Sequence, residues 1–323
     1  MYYSYLGAGL RWIIFVYLTL MKISGFTMVR NAGKLYFPIR ACIESVLPIV
    51  DEFIVALGAG DTDDDTLAQI QAIGSDKIKI YHRIWDEKLF KDGAIFRDET
   101  TFALEQCSGD WCLYLQADEI IHEQDLPKIK TACEKYDADK EVEGLLFSYH
   151  HFFGDYQHEV ISHGFYAQDI RIVRNHIGVK SYKDAISFRI DDRKMKVAEI
   201  DAYIYHYGWV RPPLTMTKKR NVQHDMHHGK DGGVAHHTQD LYQYGPLGRI
   251  DVFKGTHPAV MKPWIARFDW AHQLDYGKKM KPLNRELYRH ERPKYRLMTF
   301  IEKHFNGGRQ LFAFRNWITI RKG

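Results

Sequence analysis

The segment that most constrains the fold spans residues 111–121, Trp-Cys-Leu-Tyr-Leu-Gln-Ala-Asp-Glu-Ile-Ile, in which an apolar strand leads straight into two acids. A strand buried in a parallel sheet carries carboxylates only where it leaves the sheet, at its C-terminal edge. Open α/β sheets bind their ligands along that edge. Asp118 and Glu119 therefore mark either a ligand site or a strand that ends in solvated acids, and this segment alone leaves both interpretations open.

Apolar strands and amphipathic helices alternate along the first half of the chain. The patterns predict strands at residues 21–29, 53–57 and 78–82, and helices at 36–50, 66–73, 94–107 and 126–136. Further strands are predicted at residues 145–150, 170–174 and 200–207. This alternation predicts an α/β fold with a mostly parallel sheet, flanked by helices and continued by mixed strands.

Composition bounds the class of protein. With 323 residues, 45% of them hydrophobic, the chain can bury the core of one large or two smaller domains. A net charge of +4 is too small to indicate a nucleic-acid partner. The four cysteines show no metal-type spacing and are expected to be reduced core residues of a cytosolic protein.

The two ends of the chain differ from the middle. The apolar run at residues 12–21 has about ten residues, half of the roughly 20 that a membrane-spanning helix needs. We therefore expect residues 1–21 to be an apolar leader or sequence upstream of the true start. From Lys278 onward, thirteen lysines and arginines face three acids among many aromatic residues, which favours either peripheral membrane contact or packing against the rest of the protein.

An acidic loop, Gly58-Ala59-Gly60-Asp61-Thr62-Asp63, follows the second predicted strand. It lacks the third glycine of a dinucleotide-binding fingerprint, and its carboxylates would repel a pyrophosphate, so we exclude a dinucleotide cofactor. Carboxylates only accept hydrogen bonds, which suits a ribose or a base. Capping of the next helix is the alternative role for these acids.

The order of these segments resembles the family-2 glycosyltransferases of GT-A fold across residues 22–220. The resemblance lies in Phe-Thr-Met-Val-Arg-Asn at 26–31, Asp-Thr-Asp at 61–63 and Leu-Gln-Ala-Asp-Glu at 115–119. The last segment is similar to the family's Asp-x-Asp motif, although Gln116 replaces the first Asp. The resemblance implies a GT-A domain at residues 22–220. A His/Gly-rich loop and a basic aromatic region follow it at residues 221–323. The implied reaction is inverting transfer from a UDP- or GDP-type sugar to a glycan or lipid-linked hydroxyl.

The resemblance also implies roles for individual residues. Asp118 and His206 would bind Mn²⁺ or Mg²⁺, ions that commonly take one or two protein carboxylates and complete their shell with substrate phosphates. Asp184 would be the general base, and the alternative interpretation of this residue is a surface acid. For His206 the alternative to a metal ligand is a core histidine. The residues implied in donor binding are Thr27, Arg30, Asp61, Asp63, Arg97, Gln116 and Arg211.

Two other functions remain open. A magnesium-dependent nucleotidyltransferase would use a similar sheet and carboxylate, and a non-catalytic protein would bind membranes through its basic end. We expect a cytoplasmic protein, peripheral at the inner membrane face if that end contacts lipid. The histidines between residues 224 and 237 include an i, i+4 pair, but the glycines there favour a polar or acceptor-binding loop over a zinc site.

Overall fold

The computed structural model describes residues 21–321. The apolar leader expected at residues 1–21 therefore lies, except for Met21, outside the described residues. Within the described part of the chain, no helix combines the length and the apolar character required to cross a membrane. All four cysteines are buried and free, as the sequence predicts.

Strands and helices alternate as predicted through the first half of the chain. The strands are β1 (Ile23–Val29), β2 (Glu52–Gly58), β3 (Ile78–Arg83), β4 (Trp111–Tyr114), β5 (Glu119–Ile121), β6 (Gly144–Phe153), β7 (His158–Glu159), β8 (Gln168–Arg174), β9 (Val179–Tyr182), β10 (Ser187–Ile190), β11 (Arg193–Trp209), β12 (Asp251–Val252) and β13 (Trp317–Arg321). The helices are α1 (Ile39–Val46), α2 (Thr66–Gln71), α3 (Ala94–Glu105), α4 (Leu126–Asp137), α5 (Pro213–Val234), α6 (Lys262–Ile265) and α7 (Pro293–Phe305).

One central sheet organises the chain, in the order β3-β2-β1-β4-β8-β6-β11-β10-β9. The first four strands are parallel, β8 runs antiparallel between β4 and β6, and β6 is parallel to β11. The C-terminal strand β13 adds to β11 in parallel, so the basic end of the chain is part of the sheet. This curled, mostly parallel sheet between helices confirms the predicted Rossmann-like GT-A fold class.

The central strands are buried on both faces, which explains their continuous apolar sequences. Along β2, Phe53 and Val55 belong to the apolar cluster that also includes buried residues of α1 and α4, whereas Ile54 and Ala56 belong to the cluster on the α3 side. Because successive side chains of a strand point to opposite faces, one strand serves both layers. Gly25 of β1 allows this packing, since a Cβ there would lie 2.4 Å from the Phe53 ring.

Two local predictions are wrong. The acidic strand ends at Tyr114, and a turn at Ala117 and Asp118 separates it from β5, which pairs antiparallel with β11. The loop expected at residues 226–237 is helical as far as Val234, with one non-helical residue at Gly229. Tertiary packing overrides the weak helix propensity of this segment, because Met226 is buried in an apolar cluster and its carbonyl accepts a hydrogen bond from the Gly93 N–H at 3.2 Å.

Candidate functional site

A cavity of about 530 Å³ opens at the C-terminal edge of the parallel strands. The loops after β1 and β2 contribute one wall, the turn after β4 the floor, and α5 the opposite wall. This is the edge at which open α/β sheets bind ligands. The polar side chains that line it include Arg30, Asn31, Asp61, Gln116, Asp118, Asp184, His206 and Lys219.

Asp118 lies at the centre of this floor and is 4% exposed. Its Oδ2 lies 3.3 Å from Lys219 Nζ and 3.6 Å from Arg211 Nη2, and its Oδ1 lies 3.8 Å from His206 Nε2. Burial raises the pKa of the Asp118 carboxyl, but Lys219 and the other basic neighbours outweigh burial and lower the pKa to about 2. The carboxylate is therefore charged at neutral pH.

Lys219 is a cation on the cavity-facing side of α5, with a side chain that is 11% exposed. Its Nζ donates a hydrogen bond of 2.9 Å to the Gly208 carbonyl in addition to its contact with Asp118. Burial, followed by the nearby Arg211, lowers the pKa of the Lys219 ammonium to about 8. The side chain is charged at neutral pH and loses its proton in mild alkali.

His206 presents a lone pair to Asp118. The Nε2 of His151 lies 2.8 Å from the Tyr166 carbonyl, which only accepts, so that nitrogen donates. Burial lowers the pKa of both His151 and His206, so both rings are neutral. His151 Nδ1 therefore accepts from His206 Nδ1 at 2.9 Å, which leaves Nε2 of His206 unprotonated.

Two acceptors, His206 Nε2 and an Asp118 oxygen, thus face each other at 3.8 Å. Gly208 keeps the adjacent space open, because a Cβ there would lie 2.4 Å from His206 Nε2 and 3.1 Å from Asp118 Oδ2. A nitrogen and a carboxylate oxygen at this separation fit a divalent cation that takes its other ligands from water and a bound phosphate. Among residues 21–321, no cluster of three or more histidine, cysteine or acidic side chains could hold a metal ion.

Glu119 has a different role from its neighbour Asp118. It is fully buried in a bidentate ion pair with Arg171, with both N–O distances at 2.8 Å, and it also accepts from Tyr149 Oη at 2.9 Å. Its Oε2 further accepts from the Gln116 backbone N–H at 3.0 Å. Glu119 therefore holds the turn that presents Asp118.

Four of the predicted donor and catalytic residues line the cavity with Asp118 and His206: they are Arg30, Asp61, Gln116 and Asp184. The Gln116 side-chain amide donates to the Ala185 carbonyl at 3.3 Å and so joins the floor to the loop that carries Asp184. Asp184 and His227 both pack next to Gly93, since a Cβ on Gly93 would lie 2.6 Å from the Asp184 Cβ and 2.9 Å from the histidine ring.

The other four predicted donor residues do not line the cavity. Thr27 is buried within β1, where its hydroxyl donates to the Met28 carbonyl, and Asp63 is an exposed acid paired with Lys34 at 2.8 Å. Arg97 lies on the exposed face of α3. Arg211 is fully buried and donates to the Leu35 carbonyl at 2.8 Å, and its Nε and Nη2 have no hydrogen-bond partner among residues 21–321.

The sequence analysis did not predict α5 as one helix, because it interpreted the C-terminal part of this segment as a loop. Met216, Lys219, Met226 and Lys230 all line the cavity, and their spacing follows the period of a helix. That period was readable from the sequence, but the glycines at 229, 232 and 233 obscured it. Trp85, which lies 5.5 Å from the Arg30 guanidinium, had no sequence signal.

Comparison with known proteins yields structural similarities only. No protein-family model matches the chain, and no curated protein matches it. TarS of S. aureus aligns at 16% identity and a TM-score of 0.36, over 63% of this chain and 39% of that one. Glucosyl-3-phosphoglycerate synthase of Mycobacterium tuberculosis, in complex with Mn²⁺, UDP and phosphoglyceric acid, aligns at 20% identity and a TM-score of 0.28, over 40% and 43%.

The chain thus spans less than half the length of either of these two proteins. A shorter TarS structure, residues 1–349 with UDP, aligns over 64% of this chain and 65% of its own length, at 15% identity and a TM-score of 0.35.

Proposed function

We propose that this protein is a glycosyltransferase that uses a nucleoside-diphosphate sugar of UDP or GDP type. The observation that carries the proposal is the arrangement around Asp118: an unprotonated His206 Nε2 on one side and the Lys219 ammonium on the other, at the ligand-binding edge of the sheet. A divalent cation and a diphosphate are the ligands that this combination of acceptors and donor suits.

Asp118 and His206 would hold Mn²⁺ or Mg²⁺, which, when bound, supplies Lewis-acid stabilisation of the departing diphosphate. Lys219 contributes a fixed donor for a phosphate oxygen. Because it is buried against Gly208 and Asp118, it is already positioned before the ligand arrives, which limits the entropy lost on binding. Arg211 does not reach the cavity and acts through the Asp118 carboxylate.

The nucleoside would occupy the wall formed by the loops after β1 and β2. Trp85 offers a flat apolar surface there, and the buried Arg30 Nε has no protein partner. Asp61 is ion-paired with Lys34 at 2.7 Å but retains acceptor capacity for ribose hydroxyls.

Asp184 is the proposed general base, at the side of the cavity where α5 and α3 meet. It would accept the proton of an acceptor hydroxyl as that oxygen attacks the anomeric carbon from the face opposite the leaving diphosphate. Inversion of the anomeric configuration follows from such an in-line displacement. The proposed acceptor is the hydroxyl of a glycan or of a lipid-linked sugar.

The test begins with thermal-shift screening of UDP- and GDP-sugars with and without Mn²⁺, since a ligand of the native state raises its melting temperature. The donor that binds is then incubated with acceptors, and the released nucleotide is identified. A nucleoside diphosphate supports sugar transfer, whereas pyrophosphate would support a nucleotidyltransferase instead. Asp118→Asn should remove donor stabilisation, and unchanged donor turnover by that variant would refute the proposal.

Peripheral contact with an anionic membrane surface, at the cytoplasmic face, is a second proposal for the C-terminal region. Its support is a set of exposed apolar side chains beside the basic residues: Leu297, Phe300, Phe305, Phe312 and Phe314. Cosedimentation with anionic vesicles should fall in a variant with Phe305, Phe312 and Phe314 changed to Ser. Ile84→Ser, at a residue 88% exposed elsewhere, is the control, and equal binding by both variants contradicts membrane contact.

A further inference from the structure

A second cavity, of about 680 Å³, lies beside the first on the other flank of α5. We call it the basic groove. Its charged and imidazole side chains come from α5, from the segment after it and from residues 284–292: they are Arg220, His224, His236, Arg285, Arg289 and Arg292, with Asp240 and Glu286.

The basic groove lies next to the proposed donor cavity. A small cavity between them shares Trp209, Gln223 and His227 with the donor cavity. The same small cavity shares Arg220 and His224 with the basic groove. His227 and the general-base candidate Asp184 both lie next to Gly93, so the cavities that share His227 lie near the proposed base.

Part of the positive charge in the groove is uncompensated. Arg285 is neutralised by a bidentate pair with Glu291, and Arg292 lies 3.6 Å from Glu286. Arg220 and Arg289 form no ion pair within residues 21–321. In agreement with a positive local field, His224 has a lowered pKa, first through burial and then through Arg220 and the neighbouring histidines.

In the described part of the chain, aromatic rings contact the Arg220 guanidinium and no protein acceptor takes a hydrogen bond from it. The guanidinium lies 5.8 Å from the ring centroids of both Tyr242 and Tyr288, and Arg285 contacts the Tyr288 ring from 4.4 Å. Cation–π contacts of this kind orient the guanidinium and leave its N–H groups free for a ligand. A planar guanidinium with free N–H groups binds phosphate oxygens in a bidentate manner.

We propose that the basic groove binds a phosphate group of the acceptor, so that the acceptor is an anionic, phosphate-bearing molecule. Its hydroxyl would reach Asp184 while its phosphate lies between Arg220 and Arg289. The acceptor role rests on the proposed transferase function, whereas phosphate binding by the groove does not. His224 of α5, whose pKa is lowered, would add a neutral N–H donor at the rim.

Phosphate binding by the full chain tests the groove directly. Titration calorimetry measures the affinities for inorganic phosphate, glucose 6-phosphate and glucose. The proteins compared are the parent, the groove variant Arg220→Gln/Arg289→Gln and Lys219→Met. The matched control is Arg309→Gln/Arg315→Gln, which removes the same charge from two exposed arginines far along the chain. Arg289→Gln alone serves if the double variant does not fold, because Arg289 is exposed and has no ion-pair partner in the described chain.

The groove variant should bind inorganic phosphate and glucose 6-phosphate at least about tenfold more weakly than the parent does, because it has lost charge-assisted hydrogen bonds. The parent should bind glucose much more weakly than it binds either phosphate. The control should match the parent, and Lys219→Met, which removes the phosphate donor of the donor cavity, should retain phosphate binding by the groove. Equal phosphate affinity in the groove variant, absent binding by the parent, or loss only in Lys219→Met would overturn the proposal. If UDP and GDP fail to bind the parent while phosphate binding follows this pattern, the transferase function fails and the groove remains.

Discussion

Lys219→Met is the substitution that most directly tests the electrostatics of the proposed donor site. Methionine has a similar length and no charge, so the change removes the ammonium that lies 3.3 Å from Asp118 Oδ2 while it fills the same space. A hydrogen bond to a charged group contributes about 1.5–3 kcal/mol, so the dissociation constant for UDP or GDP should rise about 10- to 150-fold.

The pH dependence of nucleotide affinity gives a second, independent test of Lys219. The free protein holds Lys219 with a pKa of about 8, whereas a bound diphosphate stabilises the charged form and raises that pKa. Binding is therefore unaffected by this group below about pH 8 and weakens by about tenfold per pH unit above it, until the pKa of the complex is reached. Lys219→Met should show no such decline.

Calorimetry between about pH 7 and pH 9.5 measures both effects, with Lys218→Met as the control. Lys218 is the exposed neighbour of Lys219, so its replacement removes the same net charge without touching the cavity. If Lys219→Met binds the nucleotide as tightly as Lys218→Met, or keeps the alkaline decline, Lys219 does not contact the diphosphate and the reasoning is wrong.

Three further substitutions separate the roles of the remaining site residues. Gly208→Ala places a Cβ 2.4 Å from His206 Nε2, so Mn²⁺-dependent nucleotide affinity in calorimetry should be lost, although nucleotide binding without metal persists. Glu119→Gln leaves the buried Arg171 without its counter-charge and should lower the free energy of unfolding in urea by about 3–5 kcal/mol; a loss below 1 kcal/mol would contradict its structural role. Asp184→Asn should reduce transfer in single-turnover assays by about 10²- to 10⁴-fold and leave donor affinity unchanged, and equal turnover would exclude it as the base.

The first half of the fold was predictable because its signals are local. Each buried strand is a continuous apolar run, and α1 and α3 carry their buried residues at helical spacing, so the alternation of strands and helices was readable without tertiary information. The alternation predicts parallel strands joined by right-handed crossovers, but it leaves the order β3-β2-β1-β4 open. The position of Asp118 at the sheet edge is a consequence of the same pattern.

The division of labour between Asp118 and Glu119 was not predictable from their own segment. Glu119 is removed from the cavity by Arg171, a residue 52 positions away in the sequence, and Asp118 is charged through Lys219, 101 positions away. Both partners resemble ordinary strand or helix cations in the sequence. Only the tertiary pairing of β5, β8 and α5 around the turn decides which acid meets a ligand.

Gln116 tests whether the cations beside Asp118 compensate for the missing acid of the motif. With Lys219 and Arg211 both charged, the immediate surroundings of Asp118 carry a net charge of about +1 at neutral pH, which attracts a diphosphate even without metal. An aspartate at 116, as in the related motif, would cancel that charge and make binding depend on a divalent cation.

We therefore expect Gln116→Asp to weaken metal-free binding of UDP or GDP by about tenfold and to strengthen the response to Mn²⁺, since two carboxylates then share the ion. Gln116→Glu, which adds the same charge on a longer side chain, controls for geometry. Calorimetry with EDTA and with Mn²⁺ measures the difference. If Gln116→Asp responds to Mn²⁺ as the parent does, then Lys219 and Arg211 do not substitute for the missing carboxylate, and the balance of charge around Asp118 is not what permits glutamine at this position.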